Sequence, residues 1–344
     1  MSIWTPRFLA TDAFGLDISD RSFKYAMIEK GPSGAEMSAF GKGEFPDGLI
    51  VAGEIKDEKK VAEHIARAIG AARLPTNRVI AALPEEKGFL RSIDLPSGTE
   101  PDKIRSAIEL RIEEHVPLKL EEIVFDYERV TPQKVIVTAF PRDVVERYMA
   151  IMREAGLDVA ALETEAHALL RAAVSREEKR PVMVIDLGET RTGFLIADQG
   201  VVISTATKLI GGAAMIDAIQ RATASSREEA VRFFYEQGLI PDHHNEVFAA
   251  LIPIVSALRD EIIKHLSFWQ THRLQPVSLY LTGGIAHLEG LPEYLAYELR
   301  IPVCRAHPAE NLFALDASIP PINRHDTLLW AIALGLAVRN MYAP

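Results

Sequence analysis

An α/β fold of two related core halves, with a smaller α/β subdomain inserted in the first, is expected from three features. Two stretches share one design: Phe14-Gly15-Leu16-Asp17-Ile18-Ser19-Asp20-Arg21-Ser22-Phe23 and Val184-Ile185-Asp186-Leu187-Gly188-Glu189-Thr190-Arg191-Thr192-Gly193-Phe194. In each, a hydrophobic strand ends on an aspartate, a turn rich in Ser, Thr or Gly follows, and a second hydrophobic strand begins. Each hairpin also leads into a third strand and a helix, the order of a half-domain with a mixed sheet. Between the halves, 84–156 carries its own helices and alternating strands, so it reads as a subdomain and not a linker. Backbone N–H groups and hydroxyls at tight turns bind phosphate oxygens, and an Asp at a strand end suits a hydrated Mg²⁺. The repeated hairpin therefore points to a nucleotide clamped between two related domains.

In the first half, strands are expected at 15–18 and 23–29, the second closing at Lys30-Gly31-Pro32-Ser33-Gly34, with a third at 36–41. A helix over 57–72 follows from Val61, Ile65, Ala68 and Ile69 at helical spacing, and 79–83 is a short buried strand. In the insertion, Thr99 is the expected N-cap of a helix with Pro101 in its first turn and Glu100 and Asp102 at the positive end of the dipole. Ile104, Ile108 and Ile112 mark its inner face, and Pro117 ends it. Ile123, Phe125 and Tyr127 alternate on one strand, 131–134 turns the chain, and 135–140 returns. A helix over 142–155 stops at Gly156.

A strand over 157–162 and a helix over 164–173 cross toward the second half, and the charge run 175–180 is a solvated connector. Strands at 182–186, 192–197 and 201–208 then repeat the first pattern, and Gly211-Gly212 opens a helix carrying Met215, Ile216 and Ile219. Ser225-Ser226-Arg227-Glu228 has the form of a capping box for a helix ending at Gly238. A long helix over 247–273 turns Leu251, Val255, Leu258, Ile262, Leu266 and Trp269 inward, with a bend expected near Pro253. The strand 277–282 ends in Gly283-Gly284, and a closing helix over 326–338 presents Ala331, Ala333, Gly335 and Ala337 for close packing. The expected domains are 1–83 with 326–344 (first core, with 157–180 crossing), 84–156 (insertion) and 181–325 (second core, with a helical part near 225–275).

With 38 Lys plus Arg against 48 Asp plus Glu, the net charge of -10 argues against a polyanion, so no nucleic-acid partner is expected. The single cysteine, Cys304, has no partner for a disulfide or a metal cluster, which fits a reducing cytosol. Residues 1–14 lack the basic region and apolar core of a signal peptide, and the longest apolar run, 328–338, is too short to span a bilayer. Ile3, Trp4, Phe8 and Leu9 are expected in a disordered leader or an edge contact, the alternative being a small membrane or partner contact. The adjacent His243 and His244 lack metal spacing and read as solvated loop residues.

The chemistry rests on three turns in order: the two Asp hairpins and Leu281-Thr282-Gly283-Gly284-Ile285, whose paired glycines leave a ligand room against the backbone. Together they resemble the phosphate-1, phosphate-2 and adenosine motifs of the actin-like ATPase superfamily. Further stretches sharpen the resemblance: Ala107-Ile108-Glu109-Leu110, Val116-Pro117-Leu118, Ala139-Phe140-Pro141-Arg142-Asp143-Val144-Val145, Ala155-Gly156-Leu157, Leu162-Glu163-Thr164-Glu165, Leu209-Ile210-Gly211-Gly212 and Ala333-Leu334-Gly335-Leu336-Ala337. The ordered set is similar, along essentially the full chain, to the PilM family of type IV pilus assembly proteins, which is related to FtsA.

That resemblance implies an actin-like fold that takes ATP and Mg²⁺. Ser19, Asp20, Arg21 and Ser22 would line the first phosphate turn, and Gly188, Glu189, Thr190, Arg191 and Thr192 the second. Asp17 and Asp186 would act on Mg²⁺ through water, Gly283, Gly284 and Ile285 would border the adenosine, and Gly211, Gly212 and Lys24 would join the site. Glu261 and Lys264, at i and i+3, either reach the ribose hydroxyls or form a surface salt bridge. Family relatives carry small neutral residues in both phosphate turns. Here Asp20 and Glu189 either oppose phosphate by like charge, with Arg191 or Lys24 compensating, or point to solvent. For hydrolysis a group must orient water, and Glu163 or Glu165 is the candidate, the alternative being an acid stabilised at a helix N-terminus.

The expected function is a cytoplasmic ATP-binding adaptor of a type IV pilus platform, or of a related type II secretion or competence system, with weak or absent ATPase activity. The resemblance implies that the insertion helps dock the N-terminal tail of a PilN-like inner-membrane partner, alongside other platform proteins and self-association, so that membrane contact is indirect. An FtsA-like division protein is the alternative, although the chain stops at Tyr342-Ala343-Pro344 without that family's amphipathic membrane helix. A small-molecule kinase of the same superfamily ranks below it, because no catalytic Asp stands out in a substrate loop.

Overall fold

The computed structural model describes residues 12–31, 34–240, 246–272, 274–316 and 319–342. The leader with Ile3, Trp4, Phe8 and Leu9, and the pair His243 and His244, lie outside the described residues. The chain divides into two compact units, one running up to Ala172 and taking in Pro308–Asn323 and the residues from Trp330 on, the other holding Ala173–His307 and Arg324–Leu329.

In the first unit the chain forms β1 (Phe14–Ile18), β2 (Ser22–Gly31), β3 (Gly34–Glu44), the short pair β4 (Ile50–Val51) and β5 (Glu54–Ile55), α1 (Glu58–Ala72) and β6 (Arg78–Leu83). Asp57 caps α1 by accepting the Lys60 N–H, and Val61, Ala62, Ile65 and Ile69 bury its stripe. The insertion adds β7 (Phe89–Asp94), α2 (Ile104–Glu109), α3 (Ile112–His115), β8 (Ile123–Thr131) and β9 (Lys134–Pro141), and the chain leaves it through α4 (Arg142–Glu154), β10 (Asp158–Thr164) and α5 (Glu165–Ala173). The main sheet has the order β10-β6-β1-β2-β3; the inserted one is β7-β9-β8, antiparallel, over its own core of Ile93, Ile104, Ile108, Ile112, Val135 and Val137. In contrast, α4 packs with α1, its Tyr148, Ile151 and Met152 joining the core beneath the main sheet.

The single helix expected after Thr99 is two. Thr99 Oγ1 donates to Pro96 O at 2.7 Å in place of capping, and the helix breaks between α2 and α3 at Leu110 and Arg111. Residues four apart drift by about 40° around a 3.6-residue helix, so a straight helix would carry Ile112 about 80° away from Ile104. The break returns Ile112 to the core, exposes Leu110, and is tied down by Arg111 Nη1 donating to Asp94 O at 2.8 Å.

The second unit repeats the pattern with β11 (Val182–Leu187), β12 (Thr192–Asp198), β13 (Val201–Lys208), α6 (Gly212–Thr223), α7 (Arg227–Glu236), α8 (Glu246–Thr271), β14 (Leu279–Thr282), α9 (Leu291–Leu299) and β15 (Val303–Arg305). Its sheet order, β13-β12-β11-β14-β15, matches the first: an antiparallel meander of three strands followed by parallel neighbours. The likeness read from two hairpins thus extends to the whole sheets. The capping box of α7 sits one residue later than expected, with Ser226 and Glu229 bonding each other's backbone N–H, because Ala230 and Phe234 are the residues α7 buries. On α8, Pro253 lies inside the helix and Leu251, Val255, Leu258 and Ile262 face the core, but Leu266 and Trp269 are only half-buried.

The chain closes with α10 (Pro308–Leu312), α11 (Ala331–Ala337) and α12 (Arg339–Tyr342), all in the first unit. The small residues of α11 do what their size permits. A Cβ on Gly335 would stand 1.9 Å from Ala168 O of α5, and one on Gly15 of β1 2.2 Å from Ala333 O. No helix among the described residues is long and apolar enough to cross a membrane.

Candidate functional site

The first hairpin positions Asp17 at the end of β1, directly opposite Lys24 of β2. The Asp17 carboxylate is buried, and Lys24 Nζ stands 4.0 Å from its Oδ2. The turn between them is closed from within, since both the backbone N–H and the hydroxyl of Ser19 donate to Ser22 O at 2.8 Å, and the two seryl oxygens lie 3.4 Å apart. Asp20 turns toward the β4–β5 connection, where its carboxylate accepts the N–H groups of Ala52 at 3.1 Å and Gly53 at 3.0 Å. Both of those residues have left-handed backbone, φ 49° and 70°. Arg21 pairs with Asp47, and its carbonyl accepts the Phe45 N–H at 2.9 Å. Asp20 and Arg21 therefore brace the turn against 45–53, and two N–H dipoles offset the charge of Asp20. Lys24 faces Asp17, not Asp20.

In the second unit, Asp186 pairs in parallel register with Thr282 of β14, whose hydroxyl donates to Asp186 Oδ1 at 3.0 Å. Thr282 is fully buried, and its hydroxyl has Ile185 O as a second, longer acceptor at 3.4 Å, so the shorter bond is the one that orients the carboxylate. Directly after it, Gly283 has φ +81°, and a Cβ there would meet Leu187 O at 2.5 Å and Asp186 Oδ1 at 2.9 Å, whereas one on Gly284 would enter open space. Only glycine fits at 283. A strand-end carboxylate beside bare backbone suits a hydrated cation and the anion it accompanies.

The second turn is docked on α6. Gly188 N–H donates to Arg191 O at 3.0 Å, while the carbonyls of Gly188 and Glu189 accept the first N–H groups of the helix, from Gly212 at 3.1 Å and Ala213 at 2.8 Å. These are donors that a helix start leaves without internal partners. Contact is so close that a Cβ on Gly211 would stand 2.3 Å from Glu189 O and 2.6 Å from the Thr190 carbonyl carbon. Thr192, fully buried, donates to Ile210 O at 2.7 Å. The Glu189 carboxylate lies 3.9 Å from Arg227 of α7, which also bonds Asp217 at 3.1 Å. Neither acidic side chain of the two turns is left without a countercharge or donor. Ile285 is buried, its side chain packed over Gly212.

Glu261 and Lys264 form the salt bridge their spacing allows, at 2.9 Å, with a third member in Lys208 Nζ, 3.0 Å from Glu261 Oε1. The Lys264 and then the Lys208 bonds hold the buried Glu261 carboxyl below the usual carboxylate range, while burial pushes the neighbouring His265 down. Glu163 is clasped by Arg171, at 3.1 and 2.5 Å, with Arg339 Nε at 3.7 Å. Arg171 also donates to Gly335 O at 2.6 Å. A carboxylate held this way ties β10, α5 and α11 together, which favours a structural role for Glu163 over orienting water. Glu165 opens α5 as its first-turn acid.

Several partners escaped the sequence, among them Thr282, Arg171, Lys208 and Arg227. Thr282 stood beside the noted glycine pair, and its place at a strand end is a signal that could have marked it. Arg171, Lys208 and Arg227 had none, because each reaches its carboxylate across elements.

A family model described as type IV pilus assembly protein PilM matches residues 15–341. Among solved structures, the chain is similar to one described as the PilM-PilN type IV pilus biogenesis complex, at 24% identity and a TM-score of 0.80, covering 98% of this chain and 100% of that one. It is also similar to MreB5 of Spiroplasma citri bound to ADP, at 13% identity and a TM-score of 0.58, over 97% and 96% of the two chains. The ethanolamine utilization protein EutJ from Carboxydothermus hydrogenoformans follows at 16% identity and 0.55, over 95% and 89%. At such identities the likeness shows the fold, which is the α/β actin-like ATPase fold.

Proposed function

The chain belongs to the type IV pilus assembly protein PilM family, and from that membership we propose that it is a nucleotide-binding adaptor of a pilus assembly platform, docking the tail of a PilN-like inner-membrane partner. The observation that carries the nucleotide part is the fate of the two acidic turn residues. Asp20 is bonded to the Ala52 and Gly53 N–H groups and Glu189 faces Arg227, so the like-charge objection to phosphate falls away.

Each unit offers one strand-end carboxylate, Asp17 in the first and Asp186 in the second, that would hold a hydrated Mg²⁺; the turn backbones 19–22 and 188–191 are the candidates for phosphate, and Gly283 and Gly284 for the base and sugar. Bound Mg²⁺ would supply neutralisation of phosphate charge. Glu163 is committed to Arg171, which leaves Glu165 as the candidate for orienting water; the proposed role rests on binding and needs no fast hydrolysis. The partner part is supported by the family and by an inserted sheet with a core of its own. An extended peptide would bind it through backbone hydrogen bonds and apolar pockets. Membrane contact would then be indirect, through that partner.

Calorimetry tests both parts: the purified chain titrated with Mg-ATP, and with a synthetic N-terminal peptide of its PilN-like partner. Binding of both supports the proposal, and Gly283→Val, which drives a side chain into Leu187 O, should abolish the nucleotide heat while leaving the peptide's. Peptide binding without nucleotide binding would mark the nucleotide site as degenerate, and binding of neither would end the proposal.

A further inference from the structure

The inserted sheet meets the rest of its unit at the first turn of α5. Thr164 Oγ1 accepts the His167 N–H at 3.1 Å, an N-cap bond, and lies 2.6 Å from His167 Nδ1. Glu85, where the chain enters the insertion, accepts the Ala166 N–H at 3.2 Å with Oε2. The other ring nitrogen of His167 faces β8, its Nε2 standing 3.8 Å from Glu128 Oε2. The ring is largely covered while the Glu128 side chain is half exposed. Charged groups near the ring are Glu128 from β8, Glu163 from β10, Glu85 from the turn after β6, and Arg171 one turn on along α5.

Two facts make this contact more than a local ion pair. The insertion has an apolar core of its own, apart from the core beneath the main sheet, whereas α5 is clamped at its far end by Arg171 to Glu163 and to Gly335 O. Among the charged fastenings described, the imidazole is the one whose charge changes near neutral pH. We propose that His167 and Glu128 form a proton-operated latch holding the inserted sheet to α5, closed while the ring is charged and loosened when it becomes neutral.

Burial of the ring opposes its charge, but Glu128 beside it, with Glu163 and Glu85, outweighs that and raises His167 above its ordinary value of 6.5. The imidazole of His167 beside it in turn lowers Glu128. With the folded value raised, the contribution of the latch is full below the unfolded value and is lost as pH climbs through the folded one. The latch therefore opens as pH rises through the raised folded value of His167.

Histidine-selective NMR on the full chain reads the first half. His167 should titrate above 6.5, and Glu128→Gln should weaken its proton affinity about 3- to 10-fold, a modest effect for an opposite charge because Glu128 is half exposed. Hydrogen exchange reads the second. Amides of β8 and β9, corrected for intrinsic rates, should be several-fold better protected at about pH 6 than at about pH 8.5, and this difference should vanish in Glu128→Gln and His167→Gln. Glu128→Gln alters a half-exposed side chain, so it serves if His167→Gln fails to fold. A His167 titration at or below 6.5, one unmoved by Glu128→Gln, or protection equal at both pH values each overturns the latch.

Discussion

Replacing Gly335 by alanine tests how tightly α11 is wedged. All seven of its residues are buried. A Cβ at 335 would stand 1.9 Å from Ala168 O, where ordinary contact begins at 3.4 Å. The backbones of α11 and α5 would have to part by about 1.5 Å, and a main-chain oxygen cannot swing aside as a side chain can. Nor can α11 retreat. Ala333, two residues earlier and about 200° around the helix, rests its carbonyl against Gly15 of β1, where a Cβ would come within 2.2 Å. Any shift also stretches the 2.6 Å bond from Arg171 to Gly335 O. Overpacking of this kind costs about 3 kcal/mol, the upper end of the usual range. Alanine's better helix propensity returns about 1 kcal/mol, for a net loss of about 2 kcal/mol and a Tm lower by about 4–8 °C in a unit of this size. Gly70 of α1 is the control, being helical and exposed with nothing within 4 Å of its Cβ position. Gly70→Ala should gain about 0.5–1 kcal/mol. Urea melts followed by circular dichroism, with thermal melts of both variants, read the difference. If Gly335→Ala melts at or above the wild type, the wedge does not exist as described.

Arg171→Met leaves Glu163 to Arg339 alone and should cost about 2–3 kcal/mol in urea, below the ~3–5 kcal/mol of a fully orphaned buried pair because one guanidinium remains; an unchanged midpoint would deny the clamp. Thr192→Val removes a buried donor from Ile210 O and should cost about 1–3 kcal/mol by the same measurement. Thr282→Val, which frees the Asp186 carboxylate from its orienting bond, should weaken calorimetric affinity for Mg-ATP more than affinity for ATP in EDTA. Glu261 is depressed below its ordinary value of 4.5, so its contribution is present above that value and is lost as pH falls through the folded one. Stability of the wild type and of Glu261→Gln should therefore converge on acidification, and curves that stay parallel from neutral pH downward would contradict the Lys264 and Lys208 bonding.

Much of the fold is written in short-range pattern. The stripe of α1, the alternation of β8 and the hairpins around Asp17 and Asp186 depend on residues within a few positions of one another, and helical or strand periodicity exposes them directly. The repeat was equally visible, because two sheets with one strand order bury their hydrophobic strands in one rhythm. Register at element ends was less so. The break at Leu110 and the one-residue shift of the α7 capping box answer to which side chains the core accepts, and local propensity does not record that.

For the site, the chain's own text identified which residues sit at the two turns but not whom they touch. Asp20 and Glu189 look like errors in a phosphate turn until Ala52, Gly53 and Arg227 come alongside, and Glu163 looks available for chemistry until Arg171 and Arg339 close on it. Such partners are set by how strands and helices pack, and hydrogen bonds between elements leave no periodic trace in the residues that make them. The two aspartates were legible because a strand end places them locally; their surroundings came from packing.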